Sequence, residues 1–394
     1  MRILLVNDGV GDAGGVQTYL TAIARRLRGR GHDLALLHVD RLRAPLDSPV
    51  GVTAPHFCVD ESGTSAAVRA AADWRPDVVF SHNMRALSVD KQLLDRLPVV
   101  KMVHGYIGTC IGGFKWHAFP HAVACDRRFG AACVALYLPR HCCQWSVPAL
   151  VRQYAWARSQ HALLARYRAI VAPSEHMQRE FVRNGVPASR VVANPLFAAD
   201  MPVRPAPLPS EFRALFVGRM TELKGGDVLI QAAAEAAAQL GVTIPLTLAG
   251  DGPARRGWES LAESLGVPAE FPGWVDGTRR AELFRMASVV VVPSVWPEPF
   301  GLTGLEGGAH GAAAIGFNVG GIGTWLHDGE NGWLVSANDG VDGLARALAE
   351  ARAHDATLRA LRVGARRMAE RLNLSRHVDV LERVLSEARS KGPG

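Results

Sequence analysis

Residues 288–306 read SVVVVPSVWPEPFGLTGLE, and this stretch predicts a buried strand, a short loop and a helix. The unbroken β-branched run is typical of a strand in a parallel sheet, which is covered on both faces. Proline and glycine interrupt the run and predict the loop. The following segment, Leu302–His310, contains no proline and is predicted to be helical, although its glycines weaken the helix propensity. A strand, a loop and a helix in this order form the repeating unit of α/β folds.

Two carboxylates lie in or close to this loop. Glu298 lies within the loop, and Glu306 lies about one turn inside the predicted helix. The backbone N–H groups of Phe300, Gly301 and Leu302 would have no acceptor at the start of the helix, which makes this position suitable for an anion. Two carboxylates beside an anion site suggest a ligand that carries both phosphate and hydroxyl groups, such as a sugar nucleotide.

The α/β pattern continues on both sides of a linker. At 394 residues the chain is too long for one ordinary core. Residues 201–210, MPVRPAPLPS, form a Pro-rich linker. We therefore predict an N-terminal domain at residues 1–200, with a Cys-rich insertion at 105–150, and a C-terminal domain at 211–375. A final helix at 376–394 is expected to pack on the first domain. The alternation of strands and helices predicts a doubly wound parallel sheet in each domain.

In doubly wound sheets, ligands bind at the carboxyl ends of the strands. In the second domain, Arg219 and Lys224 follow one such strand end. Arginine offers a fork of donors to a diphosphate, and lysine offers a point charge. Gly252 follows the next predicted strand, and Trp274 lies in the segment that precedes a later predicted helix; both are included as substrate-binding candidates.

In the first domain, a Gly-rich loop follows the first predicted strand. Gly9, Gly11 and Gly14 match the G-x-G-x-x-G pattern of dinucleotide-binding folds, which keeps an NAD-dependent oxidoreductase as an alternative. The pair formed by Gly14 and Gly15 more simply allows backbone N–H groups to approach a phosphate or a sugar. His104 follows a later strand end at the same edge and is a candidate to contact the ligand.

Composition limits the other classes of function. The formal charge of +7 comes almost entirely from arginines spread along helices, and no nucleic-acid-binding motif accompanies it. No apolar run is long enough to span a bilayer, and residues 1–6 read as a first strand and not as a signal peptide, so a cytoplasmic location is expected. The arginines leave open a location peripheral to the inner face of the cell membrane, although the sequence shows no amphipathic Lys/Arg helix with Trp or Phe anchors.

Five of the six cysteines fall within the predicted insertion: Cys110, Cys125, Cys133, Cys142 and Cys143. In a cytoplasmic protein, such crowding indicates metal binding or reactive thiols rather than disulfides. One interpretation is a metal site made by the first three and one of the last two. The other is a small apolar subdomain in which free thiols act as hydrophobic side chains. Because the spacings match no zinc finger or ribbon, no metal ligand is assigned.

Taken together, these motifs resemble the retaining glycosyltransferases of family 4, and the likeness covers nearly the whole chain. The residues that carry it are Gly14-Gly15-Val16-Gln17, Gly31-His32, Pro173-Ser174, Gly218-Arg219, Leu223-Lys224-Gly225, Ala249-Gly250-Asp251-Gly252, and Glu298 with Glu306 in a Glu-x7-Glu arrangement. The resemblance implies a GT-B fold, with two Rossmann-like doubly wound domains facing a central cleft. It also implies transfer of a sugar from a UDP-, GDP- or dTDP-linked donor to an acceptor in glycan, glycolipid or natural-product biosynthesis.

The resemblance implies a role for each matching residue. Arg219 and Lys224 would bind the donor diphosphate and stabilise the leaving nucleotide. Glu298 would hold the sugar hydroxyls near the reacting carbon, and Glu306 would hold the ribose hydroxyls. His104 would line the reaction centre. Arg219, Lys224, Glu298 and His104 are therefore the catalytic candidates.

Backbone groups complete the implied donor site. Phe300, Gly301 and Leu302 would present N–H groups to the phosphate or sugar, and Gly15 would let the first loop approach the phosphates. Enzymes of this kind need no metal or other cofactor, because cationic side chains stabilise the leaving group. Catalysis would then consist mainly of positioning and electrostatic stabilisation.

Three further classes of function remain alternatives. A sugar-nucleotide epimerase or a phosphorylase would use the same architecture. The oxidoreductase suggested by the Gly-rich loop would leave the second α/β series unexplained, and a non-catalytic sugar-nucleotide-binding protein would use the same residues. One departure from the family concerns substrate preference: Gly323-Thr324-Trp325 occupies the region where relatives often place a glutamate.

Overall fold

The computed structural model describes residues 1–9, 15–40, 53–120, 123–143, 146–198 and 205–390. The chain divides into two compact units. Unit 1 comprises Met1–His121, Cys125–Pro195 and Leu374–Gly394, and unit 2 comprises Ala122–Ala124 and Leu196–Asn373. Unit 2 thus begins at the end of the first α/β series, and the C-terminal helix belongs to unit 1.

The secondary structure alternates strands and helices along both units. The strands are β1 (Arg2–Asn7), β2 (Asp33–His38), β3 (His56–Cys58), β4 (Val78–Ser81), β5 (Val99–Met102), β6 (Trp116–His117), β7 (Val123–Ala124), β8 (Ala169–Ala172), β9 (Val191–Ala193), β10 (Ala214–Val217), β11 (Leu246–Ala249), β12 (Ala269–Gly273), β13 (Val289–Val292), β14 (Ala313–Phe317) and β15 (Gly332–Val335). The helices are α1 (Gly15–Gly29), α2 (Val59–Ser62), α3 (Thr64–Asp73), α4 (Leu87–Leu94), α5 (Ala131–Tyr137), α6 (Val147–Leu164), α7 (Glu175–Arg183), α8 (Gly226–Leu240), α9 (Arg255–Ser264), α10 (Gly277–Met286), α11 (Leu302–His310), α12 (Gly340–Ala353), α13 (Asp355–Arg371) and α14 (Leu374–Ser390).

Unit 1 is built on a seven-stranded parallel sheet in the order β3-β2-β1-β4-β5-β8-β9. The apolar residues of β1, from Ile3 to Val6, are fully buried because helices cover both faces of the sheet. The strand order reverses direction between β1 and β4. In doubly wound sheets a ligand crevice forms at this reversal, outside the carboxyl ends of the strands.

Unit 2 repeats the plan with a six-stranded parallel sheet in the order β12-β11-β10-β13-β14-β15. Its reversal lies between β10 and β13. The four valines of β13 are buried, as the β-branched run predicts. The prediction of two doubly wound parallel α/β domains is therefore confirmed.

The glycines of α11 are required by packing. A Cβ atom added to Gly304 would lie 2.1 Å from the ring of Trp325, and one added to Gly307 would lie 2.5 Å from the side chain of Val290. The helix therefore lies closer to its neighbours than any side chain would allow. These contacts compensate for the low helix propensity of glycine, and the predicted helix forms over its predicted range.

The C-terminal region is helical, with breaks at residue 354 and at residues 372–373. The last helix, α14, forms ion pairs within unit 1. Arg30 contacts Asp379 at 2.7 Å and Glu382 at 2.5 Å, and His32 contacts Glu382 at 2.7 Å. Among the described residues, none of the helices has the length and apolar character needed to cross a membrane.

Candidate active site

The two loops that flank the reversal in unit 2 meet through their side chains. The ammonium of Lys224, which follows β10, lies 2.5 Å from Oε1 of Glu298, which follows β13. The hydroxyl of Ser294 donates to the same oxygen at 2.6 Å. Glu298 is only 5% exposed, whereas the Lys224 side chain is 29% exposed. A buried carboxylate is thus neutralised by a cation that remains accessible to a ligand.

A close backbone approach positions Lys224. Gly225 adopts a left-handed conformation with φ of 65°, and a Cβ atom there would lie 2.0 Å from the carbonyl oxygen of Pro293. The N–H of Val295 donates to the carbonyl of Leu223 at 3.1 Å. Only glycine satisfies both the conformation and the contact. The Gly-rich turn therefore brings Lys224 against the loop that carries Glu298.

The backbone of Glu298 is held by the double glycine at residues 320 and 321. Its carbonyl oxygen accepts the N–H of Gly321 at 2.6 Å. Gly320 has φ of 59°, and a Cβ atom there would lie 2.2 Å from the same oxygen. This region lacks the glutamate that relatives often carry, and here its glycines position the carboxylate of Glu298 through the main chain.

The start of α11 presents unpaired backbone donors. The carbonyl of Phe300 accepts the indole N–H of Trp325 at 2.6 Å, and Gly301 caps the helix in a left-handed conformation with φ of 77°. The N–H groups of Phe300, Gly301 and Leu302 find no backbone acceptor outside the helix among the described residues. The first turn of a helix offers none within it. The helix dipole adds partial positive charge, so the site favours an anion.

Glu306 has a partner that sequence reasoning missed. Its Oε2 forms an ion pair with Nη2 of Arg280, on α10. Arg280 also lies over the ring of Phe284, with 5.5 Å between the guanidinium carbon and the ring centroid. Nothing in the sequence near Arg280 indicates this pair, because it depends on how the consecutive helices α10 and α11 pack against each other. The carboxylate is 8% exposed, so the arginine compensates a nearly buried charge.

The remaining candidates of unit 2 follow the neighbouring strands β10, β11 and β12. Arg219 is exposed and forms no ion pair with a described residue. Gly252 has φ of 154°, and a Cβ atom there would lie 2.3 Å from the carbonyl of Met220, so the two loops pack main chain against main chain. Trp274 is 71% exposed, which is unusual for so large an apolar side chain. Every candidate of the second domain therefore follows a strand of one contiguous group, β12-β11-β10-β13.

His104, in unit 1, lies in a cluster of buried rings. Its Nε2 is 3.1 Å from Nδ1 of His82, and the two rings stack with 5.4 Å between centroids. The ring of Tyr19 meets His104 edge-on at 5.6 Å. Burial, and to a lesser degree the charge of Lys101, lowers the pKa of His104 to about 3. His104 is therefore neutral at physiological pH and acts there as a hydrogen-bonding group rather than as a cation.

The C-terminal helix completes this cluster. The hydroxyl of Tyr19 lies 2.8 Å from Nε2 of His377, whose Nδ1 lies 2.8 Å from the carbonyl oxygen of Pro195. Burial lowers the pKa of His377 to about 4, and the hydrogen bond to Pro195 partly opposes this. Tyr19 is on the buried face of α1, and its histidine partners come from distant parts of the chain.

The Gly-rich first loop is described only in part. Gly15 is the first residue of α1 and is exposed. Gly14 and Gly11 lie outside the described residues. Their predicted approach to a phosphate therefore stays a prediction.

The cysteine-rich segment contains free thiols. All six cysteines of the chain are free, and the five clustered ones are partly buried. Cys142 Sγ lies 3.5 Å from Nδ1 of His117, and burial raises the pKa of Cys142 to about 12. Within the described ranges, no group of three or more His, Cys, Asp or Glu residues is arranged to hold a metal ion. The metal interpretation and the free-thiol interpretation therefore both stay predictions.

Both halves of the chain match models of glycosyltransferase families. Residues 13–196 match the model described as Glycosyltransferase Family 4, and residues 211–354 match the model described as Glycosyl transferases group 1. Two similar proteins are D-inositol 3-phosphate glycosyltransferases. The one from Rhodococcus opacus is 28% identical over 96% of this chain and 86% of its own length. The one from Thermomonospora curvata is 29% identical over 98% of this chain and 93% of its own length.

Solved structures share the fold. HepE from Anabaena, solved in complex with UDP and glucose, has a TM-score of 0.72 at 18% identity and covers 98% of this chain and 100% of its own. Sucrose-phosphate synthase from Thermosynechococcus elongatus has a TM-score of 0.69 at 20% identity and covers 98% of this chain and 99% of its own. The comparisons support neither the epimerase or phosphorylase nor the oxidoreductase alternative. The chain is a glycosyltransferase with the GT-B fold and belongs to family 4.

Proposed function

We propose that this enzyme transfers a sugar, with retention of anomeric configuration, from a nucleoside-diphosphate sugar that binds at the carboxyl ends of β10–β13 in unit 2. The observation that carries the proposal is the contact between Lys224 and Glu298 at the reversal of the sheet. A cation and a carboxylate at this position match the two chemical parts of such a donor, a diphosphate and a sugar rich in hydroxyls.

The diphosphate would be held by three sources of positive potential. Arg219 is exposed and offers a planar fork of donors. Lys224 offers a point charge, and the start of α11 offers backbone N–H groups. HepE, which has this fold, was solved with UDP, and this supports a nucleotide in the corresponding domain here.

Binding of the donor would change the partner of Lys224. In the free enzyme the ammonium neutralises Glu298. We infer that the diphosphate attracts this ammonium, because a diphosphate carries more charge than a carboxylate. Glu298 would then accept hydrogen bonds from sugar hydroxyls while it keeps the hydrogen bond from Ser294. The loop would exchange an internal ion pair for contacts with both parts of the donor.

The nucleoside would extend over the neighbouring loops. Glu306 would accept hydrogen bonds from the ribose hydroxyls, and its ion pair with Arg280 would fix its orientation. The exposed indole of Trp274 would stack on the base, and Gly252 would allow the main chain to approach the nucleoside.

The proposed chemistry depends on stabilisation of the departing diphosphate. As the anomeric bond breaks, negative charge grows on the phosphate oxygen, and Lys224, Arg219 and the start of α11 would stabilise it. The acceptor hydroxyl would attack from the same face as the leaving group and pass its proton to the departing phosphate oxygen, which gives retention. His104, neutral at physiological pH, would position the sugar or the acceptor by hydrogen bonding.

The proposal also names an acceptor class and a cellular compartment. The relatives are named for D-inositol 3-phosphate, so a phosphorylated polyol is the first acceptor to test. The six free thiols support a reducing compartment, the cytoplasm.

The test is a matrix of UDP-, GDP- and dTDP-sugars against candidate acceptors, with release of nucleoside diphosphate as the readout and NMR of the product for its anomeric configuration. We expect acceptor-dependent release with at least one donor and a product of the same configuration as the donor. An inverted product would contradict retention, and a product formed without nucleotide release would contradict the donor class.

A further inference from the structure

We propose that unit 1 docks on anionic lipid membranes through a face formed by helices α5 and α6. We call this surface the α5–α6 face and define it by Val134, Val147, Val151, Ala155, Arg152 and Arg158. None of these residues is among those assigned above to the donor or to the reaction centre.

The α5–α6 face exposes apolar side chains that a folded protein ordinarily buries. Val134 on α5 is 38% exposed, and Val147 and Val151 on α6 are 58% and 64% exposed. A groove of about 510 Å³ runs between the two helices, and Val134, Val151 and Ala155 are among the residues that line it. A contiguous exposed apolar surface of this kind marks an interaction site.

The positive charge of the protein is concentrated in the same part of the chain. Residues 105–174 contain eight lysines and arginines and one acidic residue, Asp126. This excess of seven equals the formal net charge of the whole chain, +7, so the remaining residues are balanced. Two of these cations pair with carboxylates outside the segment, Lys115 with Glu180 and Arg166 with Asp95, so the others set the local field.

Several of these arginines face solvent. Arg152 and Arg158 on α6, and Arg127 and Arg128 just before α5, are exposed. None of the four forms an ion pair with a described residue, whereas the buried Lys115 is paired with Glu180 at 2.6 Å. Helices α5 and α6 contain no acidic residue. The face therefore offers apolar side chains and uncompensated cations together.

An anionic bilayer matches both properties. Apolar side chains at the boundary of head groups and acyl chains gain free energy by leaving water, and nearby arginines are attracted to anionic lipids. A second copy of this chain matches only the apolar part. In a two-fold interface the arginines of one copy would face those of the other, and juxtaposed like charges oppose association. Charge complementarity therefore favours the membrane.

The test is sedimentation of the full chain with vesicles of phosphatidylcholine alone and of phosphatidylcholine with roughly one third phosphatidylglycerol. The test variant combines Val151→Glu with Arg158→Glu. Its matched control combines Val363→Glu with Arg367→Glu on α13, where Val363 is 52% exposed and Arg367 is also exposed. Both variants change the net charge equally and alter only exposed side chains, and their thermal unfolding verifies folding.

We expect the parent chain and the α13 variant to bind the anionic vesicles, and to bind less at high salt. The α6 variant should bind at least about tenfold more weakly. Equal binding to both vesicle types, no binding by the parent, or equal binding by the two variants would overturn the proposal. A self-associated parent that the α6 variant converts to monomer, without vesicle binding, would assign the face to a second copy. If the α6 variant releases nucleotide in detergent at the rate of the parent, its loss of vesicle binding does not result from damage to the donor site.

Discussion

The ammonium of Lys224 lies 2.5 Å from a carboxylate oxygen of Glu298, although 74 positions separate the two residues in the chain. They meet because β10 and β13 are neighbours in the sheet while the chain between them builds β11 and β12 on the other side. The reversal of a doubly wound sheet thus has a direct chemical consequence. It places a cation and a carboxylate from distant segments at one point, where a donor with a diphosphate and a sugar requires both.

The first prediction concerns Lys224. Lys224→Ala removes the cation that would stabilise the leaving diphosphate, and we expect turnover to fall by about 100-fold or more. It also leaves Glu298 nearly buried without its partner. Because the lysine is partly exposed, we expect destabilisation of about 2 kcal/mol, less than the roughly 3–5 kcal/mol that breaking a fully buried pair costs. Steady-state nucleotide release and urea unfolding measure the two effects.

The double variant Lys224→Ala/Glu298→Gln separates these effects. Removal of the charge on Glu298 should restore most of the lost stability, because no uncompensated carboxylate remains. It should not restore turnover. Recovery of turnover together with stability would show that Lys224 serves the fold and not the reaction.

The second prediction compares two helical glycines. Gly304→Ala places a methyl group where the ring of Trp325 lies, 2.1 Å from the new carbon. We expect destabilisation of about 1–3 kcal/mol and weaker donor binding, since Trp325 also holds the carbonyl of Phe300. The matched control is Gly257→Ala on α9, where no atom lies within 4 Å. This control should be neutral or stabilising by up to about 1 kcal/mol.

Thermal unfolding with and without nucleotide measures both variants. If Gly304→Ala proves as stable as the control, the close approach of α11 to Trp325 is not a constraint on this fold.

The helix α11 shows what sequence reasoning predicts and what it does not. Its position and range follow from the pattern of strand, loop and helix, and the structure confirms them. In the sequence pattern the glycines of α11 only lower the predicted helix propensity, because this propensity is a local property. The ring of Trp325 and the side chain of Val290, which require those glycines, come from other elements, and no local pattern identifies them.

The third prediction concerns Trp274. Trp274→Ala should raise the KM for the donor by about tenfold, because base stacking contributes about 1–3 kcal/mol per base, and should leave kcat within about twofold. Stability should be unchanged, since the side chain is 71% exposed. Donor saturation curves and thermal unfolding test this. A fall in kcat at constant KM would place the indole elsewhere than on the base.

The fourth prediction is a loss of stability in acid. The pKa of His104 is lowered to about 3 and that of His377 to about 4, mainly by burial, against an ordinary value of 6.5. Between these values and 6.5 the unfolded chain binds protons that the folded chain does not. The free energy of unfolding therefore falls as the pH decreases below about 6.5, by up to about 1.4 kcal/mol per pH unit for each histidine. The contribution is fully present above pH 6.5.

Urea unfolding across this range tests the effect. His104→Gln removes one titrating group and should make the pH dependence shallower by about one proton. Identical slopes for the parent and His104→Gln would show that His104 is not held neutral by burial.

The histidine cluster and the ion pair of Glu306 mark the limit of sequence reasoning at the site. His104 follows from its position after a strand. His82 and His377 do not, because a structural histidine and a ligand-facing one look alike in sequence. Likewise Arg280 is one arginine among many until the fold brings it to Glu306. The ends of strands predict which residues surround a ligand. Which side chains pair with these residues depends on tertiary contacts.

The most direct test of the donor assignment is thermal unfolding of the parent chain and of Lys224→Ala in the presence of UDP-, GDP- and dTDP-sugars and of NAD. A ligand that binds only the folded state stabilises it according to its concentration and Kd. We predict that at least one nucleoside-diphosphate sugar raises the Tm of the parent, that Lys224→Ala loses most of this shift, and that NAD has no effect. Stabilisation by NAD alone, or an equal shift in the parent and in Lys224→Ala, would contradict the donor site described here.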